Sequence, residues 1–225
     1  MIAYYEEAMG PDFCQALSLD PVYGGRIYTL LECYGNRYDF CDLWLISASG
    51  EPVGAVARYG EMVTVVASPL ADYRELADFL QAIPWRQAEG MVEPLRELAG
   101  YLSGLSRFSS GVMTYQRPLP PWFEPREVEQ APPYGEVYDL LCRSFEDFAR
   151  DMPYEPWLCD LSCRCRRQLA QVCLLREKGE AVSTAGIYYS SPTSGVVGGV
   201  ATHPDHRDRG YARQVIYHCI RRLQQ

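Results

Sequence analysis

The chain has 225 residues, 48% of them hydrophobic and 22% charged, enough to bury a sizeable core in one large or two small domains. The formal net charge is −8. Nucleic acid is a poor partner for such a chain, because phosphate binding needs a basic face. No stretch approaches the roughly 20 apolar residues of a membrane span, and Met1–Gly10 has neither the basic start nor the apolar run of a signal peptide. A cytoplasmic location is the expectation. The charge is uneven: residues 126–225 hold 13 basic and 13 acidic side chains, so the whole excess falls in residues 1–125.

The first residues read as irregular, followed by a helix near Gly25 to Tyr34. Apolar, β-branched runs then predict three strands: Asp42 to Ala48, Pro52 to Gly60 after a turn at Ser49–Gly50–Glu51, and Met62 to Ser68. Ala71 to Ile83 carries Leu76, Phe79 and Leu80 at helical spacing. A short strand near Trp85 to Ala88, a helix near Glu93 to Leu102 and a strand near Gly111 to Gln116 complete this half. Arg117 to Pro125 is proline-rich and includes Trp122. It reads as a stiff linker between domains 1–116 and 126–225.

In the second half, Arg126 to Gln130 predicts a strand, Tyr134 to Arg150 a helix, and Pro156 to Leu169 a second helix. Gln171 to Gly179 and Ala181 to Ser190 read as a hairpin around Lys178–Gly179–Glu180. Ser194 to Thr202 is the next strand. Tyr211 to Leu223 is a helix with Val215, Ile216, Cys219 and Leu223 toward the sheet.

The turn between that last strand and helix carries the strongest chemical signal. An apolar strand runs through Pro204 into Arg207, Asp208, Arg209, Gly210, Tyr211 and Ala212. The first N–H groups of a helix lack intrahelical partners and favour an anion. Gly210 lets a ligand approach the backbone closely.

Arg207, Gly210 and Ala212, with Val200, Thr202 and Pro204 upstream, resemble the acyl-CoA-binding signature of the GCN5-related N-acetyltransferase (GNAT) superfamily. The resemblance is closest over residues 126–225, which share the family's opening order of strand, two helices, three antiparallel strands and helix. It implies an α/β (α+β) fold with a mixed, largely antiparallel sheet flanked by helices. It also implies acetyl-CoA as cofactor. The N–H groups of Asp208, Arg209, Gly210, Tyr211, Ala212 and Arg213 would then cradle the pyrophosphate, and Val200, Ala201 and Thr202 would pair with the pantetheine arm. The Val200 N–H would support the thioester oxygen.

The first half resembles a degenerate second copy. Val65 to Leu80 stands where the second half has its signature, yet Leu70 to Pro84 contains no glycine and carries Asp72, Glu75 and Asp78. Only the second half is expected to hold the cofactor. The family pattern continues after the signature helix with further strands and a helix, whereas this sequence runs to Gln225, so the second half is expected to end early. The first half, or a homodimer partner, would then cover the open strand edge.

The implied activity is acetyl transfer to a primary amine of a small molecule by direct attack. The alternative is a non-catalytic acetyl-CoA-binding or regulatory module on the same scaffold. Candidate acid–base groups are Glu146 and Asp147 on the first helix and Tyr188 on the strand beside the signature strand. Strand alternation places Tyr188 and Ser190 on one face and Tyr189 on the other. His203 and His206 flank the turn and read as surface or capping residues; His218 reads as solvent-facing. Cys159, Cys163 and Cys165 do not converge as a tetrahedral site requires, so no metal is expected. Nine cysteines in a chain of this size without an export signal read as reduced thiols. The GxxxxGK[ST] loop of nucleotide-binding proteins is absent.

Overall fold

A computed structural model describes the chain except for Gln116, Pro121, Trp122 and Pro125. The expectations placed on those four residues, Trp122 included, lie outside the described residues. The fold is mixed α/β, with largely antiparallel sheets flanked by helices. The chain forms two compact units. One is Met1–Val112 with Ser191–Thr193, and the other is Met113–Ser190 with Ser194–Gln225.

The first unit opens with strand β1 (Ile2–Tyr4), a 3-10 turn (Glu7–Met9), and helices α1 (Gly10–Leu17) and α2 (Tyr23–Cys33). The expected irregular start is therefore corrected. Phe13, Ala16 and Leu17 form the buried stripe of α1, too short a run to stand out in the sequence. Strands β2 (Cys41–Ala48), β3 (Glu51–Tyr59) and β4 (Met62–Ala67) follow, then α3 (Tyr73–Ala82), β5 (Gln87–Gly90) and α4 (Val92–Leu98). The sheet order is β1-β2-β3-β4-β5. The β4–β5 pair is parallel and the β1–β2, β2–β3 and β3–β4 pairs are antiparallel. Leu76, Ala77 and Leu80 of α3 pack against Trp44, Ile46, Val56, Val63 and Val65. The expected strand at 111–116 does not form: its described residues have no regular structure.

In the second unit the expected strand at Arg126 to Gln130 is reduced to a single antiparallel bridge between Glu129 and Leu174. The expected helix from Tyr134 to Arg150 breaks at Phe145, whose backbone is extended. It gives α5 (Tyr134–Ser144) and the short α6 (Phe148–Asp151). The remaining elements are α7 (Tyr154–Arg166), β6 (Gln171–Glu177), β7 (Glu180–Ser190), β8 (Gly195–Thr202), a 3-10 turn (Pro204–His206) and α8 (Tyr211–Leu223). The sheet order is β6-β7-β8, all antiparallel. β8 is thus an edge of this sheet.

Both faces of the second sheet are covered, which is why β6 reads as a continuous apolar run. Cys173 and Leu175 meet Val215 and Cys219 of α8 on one face. Val172 and Leu174 meet Val137, Leu141, Trp157 and Leu161 of α5 and α7 on the other. Described residues of the proline-rich segment lie along α8: the Phe123 ring sits 4.6 Å from that of Tyr217, and Gln224 donates to the Arg117 carbonyl at 2.9 Å.

Leu174 is fully buried at the centre of the α5–α7 face. Leu174→Ala is expected to lower stability by about 2–5 kcal/mol through lost transfer energy and a residual cavity. A urea titration would register this as a lower midpoint with the slope unchanged.

Candidate functional site

The candidate site is built where β8 passes into α8. β8 opposes β7 with two register shifts. Thr184 faces Ala201 and Gly186 faces Gly198, so Gly199 and Val200 together oppose the single residue Ala185. This is a β-bulge, which leaves one residue out of the ladder and turns the local backbone. Gly199 has φ of +56°, a left-handed conformation that costs a side-chain-bearing residue about 1–2 kcal/mol.

Tyr188 lies directly beside the bulge. A Cβ at position 199 would stand 2.5 Å from the Tyr188 hydroxyl. Tyr188 packs on the α5–α7 face, and burial drives its phenol well above the ordinary tyrosine range. It is therefore a neutral O–H group at neutral pH, a donor and not a base.

The register also slips between Ile187 and Tyr189, with Ile187 packed on the α8 face and Tyr188 on the α5–α7 face. Arg164 of α7 spans the slip. Its guanidinium donates to the Tyr188 carbonyl at 3.2 Å and lies 4.5 Å from the centre of the Tyr189 ring. Arg164 is 3% exposed and is held by Asp160 one turn earlier, at 2.7 Å. Sequence reasoning missed this pair. Its only signal there was an i, i+4 Asp–Arg spacing on a helix.

Beyond β8 the chain makes the basic turn. His203 Nδ1 accepts the Asp205 N–H at 3.3 Å, capping the 3-10 turn. His206 sits 3.5 Å from both Glu177 and Glu180. Both histidines thus serve the turn. Asp208 and Gly210 are left-handed, with φ of 61° and 78°. Two left-handed residues this close together turn the backbone sharply at the entry to α8.

Gly210 is the N-cap of α8, and no side chain caps this helix. The first backbone bond of α8 is Gln214 N–H to Gly210 O, at 3.3 Å. The N–H groups of Tyr211, Ala212 and Arg213 precede it and have no carbonyl within the helix. Arg207 Nε donates to the Thr202 carbonyl at 3.4 Å, tying the turn to the strand. Arg209 reaches the Asp205 carbonyl at 3.2 Å and Glu177 at 3.6 Å. The Tyr211 side chain is buried and its hydroxyl donates to Glu177, so only its backbone faces the turn. The Tyr211 bond, with Arg209 and His206, holds the Glu177 carboxyl below its ordinary range.

The equivalent place in the first unit is closed by its own side chain. Asp72 caps α3, its carboxylate accepting from Arg74 N–H and Glu75 N–H, both at 3.0 Å. A negative ligand there would have to displace a carboxylate.

The remaining candidates are placed less centrally. Ser144, at the end of α5, donates to the Thr202 carbonyl at 3.3 Å, which brings the loop holding Glu146 and Asp147 toward the end of β8. Both acids are exposed, and Asp147 is paired with Arg150 at 2.7 Å. The Ala201 and Thr202 carbonyls are already engaged, by Ser183 at 2.9 Å and by Ser144 and Arg207. His218 is corrected: it is half-buried, with Nε2 enclosed and without a partner. Burial and Arg221 push its pKa down. Among the described residues no group of three or more His, Cys, Asp or Glu side chains could hold a metal. No helix among them is long and apolar enough to cross a membrane.

Residues 134–225 match the acetyltransferase (GNAT) family. That stretch contains β8, the turn and α8. The fold of the chain is similar to that of an acetyltransferase from the GNAT family from Colwellia psychrerythraea. The TM-score is 0.54 at 12% identity, covering 100% of this chain and 85% of that one. It is also similar to a GCN5-related N-acetyltransferase from Kribbella flavida, with a TM-score of 0.51 at 13% identity, covering 93% and 81%. At such identities the likeness is one of fold. Among curated proteins no sequence matches this one.

Gly199→Ala is expected to destabilise the protein, since the new methyl meets the Tyr188 hydroxyl as well as an unfavourable φ. In a Tyr188→Phe background the same change is expected to cost less. A double-mutant cycle of urea midpoints should return a coupling of about 0.5 kcal/mol or more. Strict additivity would place the Tyr188 ring elsewhere.

Proposed function

We propose that this protein is an acetyl-CoA-dependent N-acetyltransferase that moves an acetyl group to a primary amine of a small molecule by direct attack. The observation that carries the reading is the open N-terminus of α8 beside a bulged, glycine-bearing strand. The donor set fits the ligand: backbone N–H groups from Asp208 to Arg213 with Arg207 and Arg209 nearby suit a pyrophosphate, and the β8 edge suits an amide-bearing arm. Acetyl-CoA would supply an activated acyl group as its thioester.

The chain's own residues would do the following. The turn N–H groups hold the pyrophosphate. The N–H of Val200, in the bulge, meets the carbonyl oxygen as charge develops on it; such preorganised donors are usually the largest single catalytic effect. The neutral amine attacks the carbonyl carbon, the C–N bond forms and the C–S bond breaks. Tyr188, kept protonated by burial, donates toward the departing sulfur. The amine's proton leaves to water or to the loop of Glu146 and Asp147, whose exposed carboxylates also favour a cationic acceptor electrostatically.

A second reading is a module that binds acetyl-CoA without turnover. It is favoured by the placement of Asp147, ion-paired with Arg150, and of Glu146, exposed to solvent. Neither is held against Tyr188 by a hydrogen bond. Saturable acetyl-CoA binding with no product from a broad amine panel would select this reading. Turnover of any small amine would exclude it.

Gly210→Glu would put a carboxylate into the proposed pyrophosphate path, on a residue with ample space around it. Isothermal titration is expected to show acetyl-CoA binding by the wild type and none by the folded variant. Failure of the wild type to bind at millimolar concentration removes the proposal.

Tyr188→Phe is expected to lower kcat by about 100-fold while leaving the acetyl-CoA affinity within a few-fold. The sign of the pH dependence follows from the raised phenol. The donor is present throughout neutral pH and is lost only on the alkaline side, above the ordinary tyrosine value of 10.0. The wild-type pH–rate profile should therefore show no loss from this group below that value.

A further inference from the structure

The second unit contains a cavity of about 860 Å³ that the proposed acetyl transfer does not use. It lies at the C-terminal ends of α7 and α8, where β6 begins and β7 ends. The cofactor turn is at the other end of α8, about 20 Å away for a helix of 13 residues.

Three arginines line this cavity: Arg166 from the end of α7, and Arg221 and Arg222 from the end of α8. No aspartate or glutamate lines it. This is notable in a chain where acids outnumber bases by eight. Elsewhere in the same unit, arginines hold carboxylates: Arg164 with Asp160, and Arg176 with Glu129 and Glu136. Among the described residues, Arg166, Arg221 and Arg222 form no such pair. Arg166 uses Nε on the Ser162 carbonyl at 3.2 Å, which leaves its terminal nitrogens available.

The rest of the wall is mixed. Leu169, Val172 and Ile187 supply an apolar part, while Gln168 and Gln171 supply amides. The positive field reaches neighbouring groups: Arg221 adds to the burial that lowers His218, and Arg166 opposes the burial that raises Tyr134 to about 12.

Arginine at a helix C-terminus also offsets the macrodipole, so the sizes matter. Two helix ends contribute about −0.5 charge each and the backbone carboxylate of Gln225, which also lines the cavity, about −1, against three guanidinium groups, leaving a surplus of about one positive charge. Guanidinium forks bind carboxylate and phosphate oxygens in pairs.

We propose that this cavity binds a small organic dianion, a dicarboxylate or a phosphate monoester, with its charged groups on Arg166, Arg221 and Arg222 and its carbon skeleton against Leu169, Val172 and Ile187. The site is separate from the cofactor turn, and the proposal stands whether or not the protein transfers acetyl groups.

The test is isothermal titration of the full chain with phenyl phosphate, succinate and inorganic phosphate, in chloride buffers of matched ionic strength. Saturable 1:1 binding of phenyl phosphate or succinate is expected, tighter than inorganic phosphate because of the apolar wall. The Arg221→Gln/Arg222→Gln double variant should weaken it at least tenfold, and Arg166→Gln should weaken it separately. Unchanged far-UV circular dichroism and melting temperature establish that these exposed substitutions leave the fold intact. Gly210→Glu, at the far end of α8, should leave this binding unaltered. No saturable binding at millimolar ligand overturns the proposal. Binding that survives the arginine substitutions does so too, as does binding that disappears in Gly210→Glu, which would move the anion to the other end of the helix.

Discussion

The first N–H groups of a helix point outward without partners, and the two units of this protein answer them differently. In the first unit Asp72 answers them from within the chain, with two hydrogen bonds of 3.0 Å. In the second unit α8 begins at a left-handed glycine with no capping side chain. The two strand–helix junctions occupy matching places in the element order. One residue type at the helix entry therefore separates a self-satisfied corner from one that no side chain caps. Carboxylate capping and phosphate binding compete for the same donors, so a helix start that has the first does not offer the second.

β8 reaches the open corner with a bulge. Gly199 permits the left-handed backbone and also leaves room for the Tyr188 ring. Tyr188 in turn depends on the second slip, in β7, where Arg164 reaches its carbonyl. Arg164 is almost wholly buried but compensated by Asp160, by that carbonyl and by the Tyr189 ring. Removing Asp160 alone would leave a buried charge, a change that typically costs several kcal/mol. Glycine, tyrosine, arginine and aspartate from three elements thus form one chain of dependence around the bulge.

Helix α8 links two chemically different ends. Its N-terminus presents backbone donors, and its C-terminal turn presents Arg221 and Arg222 above a partly apolar cavity. Between them Val215 and Cys219 fix the helix to β6 and β7. The Cys173 and Cys219 sulfurs are 3.9 Å apart in that contact, and both remain free thiols among the described residues. A helix anchored along its middle holds both ends at fixed positions on one sheet.

Much of the fold was legible in the sequence because period-2 and period-3.6 patterns are local. β2, β3, β4, β6, β7, β8, α3 and α8 all stand within a few residues of where their apolar spacing places them. The turn from Pro204 to Ala212 was legible for the same reason: its glycine, proline and arginines act through backbone geometry that neighbouring residues dictate. Sequence was least informative where a single contact made or unmade an element. α1 exists because three residues find a core, the strand at 126–130 shrank to one bridge, and the first helix of the second unit broke at Phe145. Tertiary structure alone decided what Tyr188 meets on its face of the strand, the bulge at Gly199 and the α5–α7 core. It alone brought Arg164 to the bulge and gathered three arginines from two helix ends around one cavity. Such groupings depend on where separate elements meet in space, and no spacing along the chain encodes that.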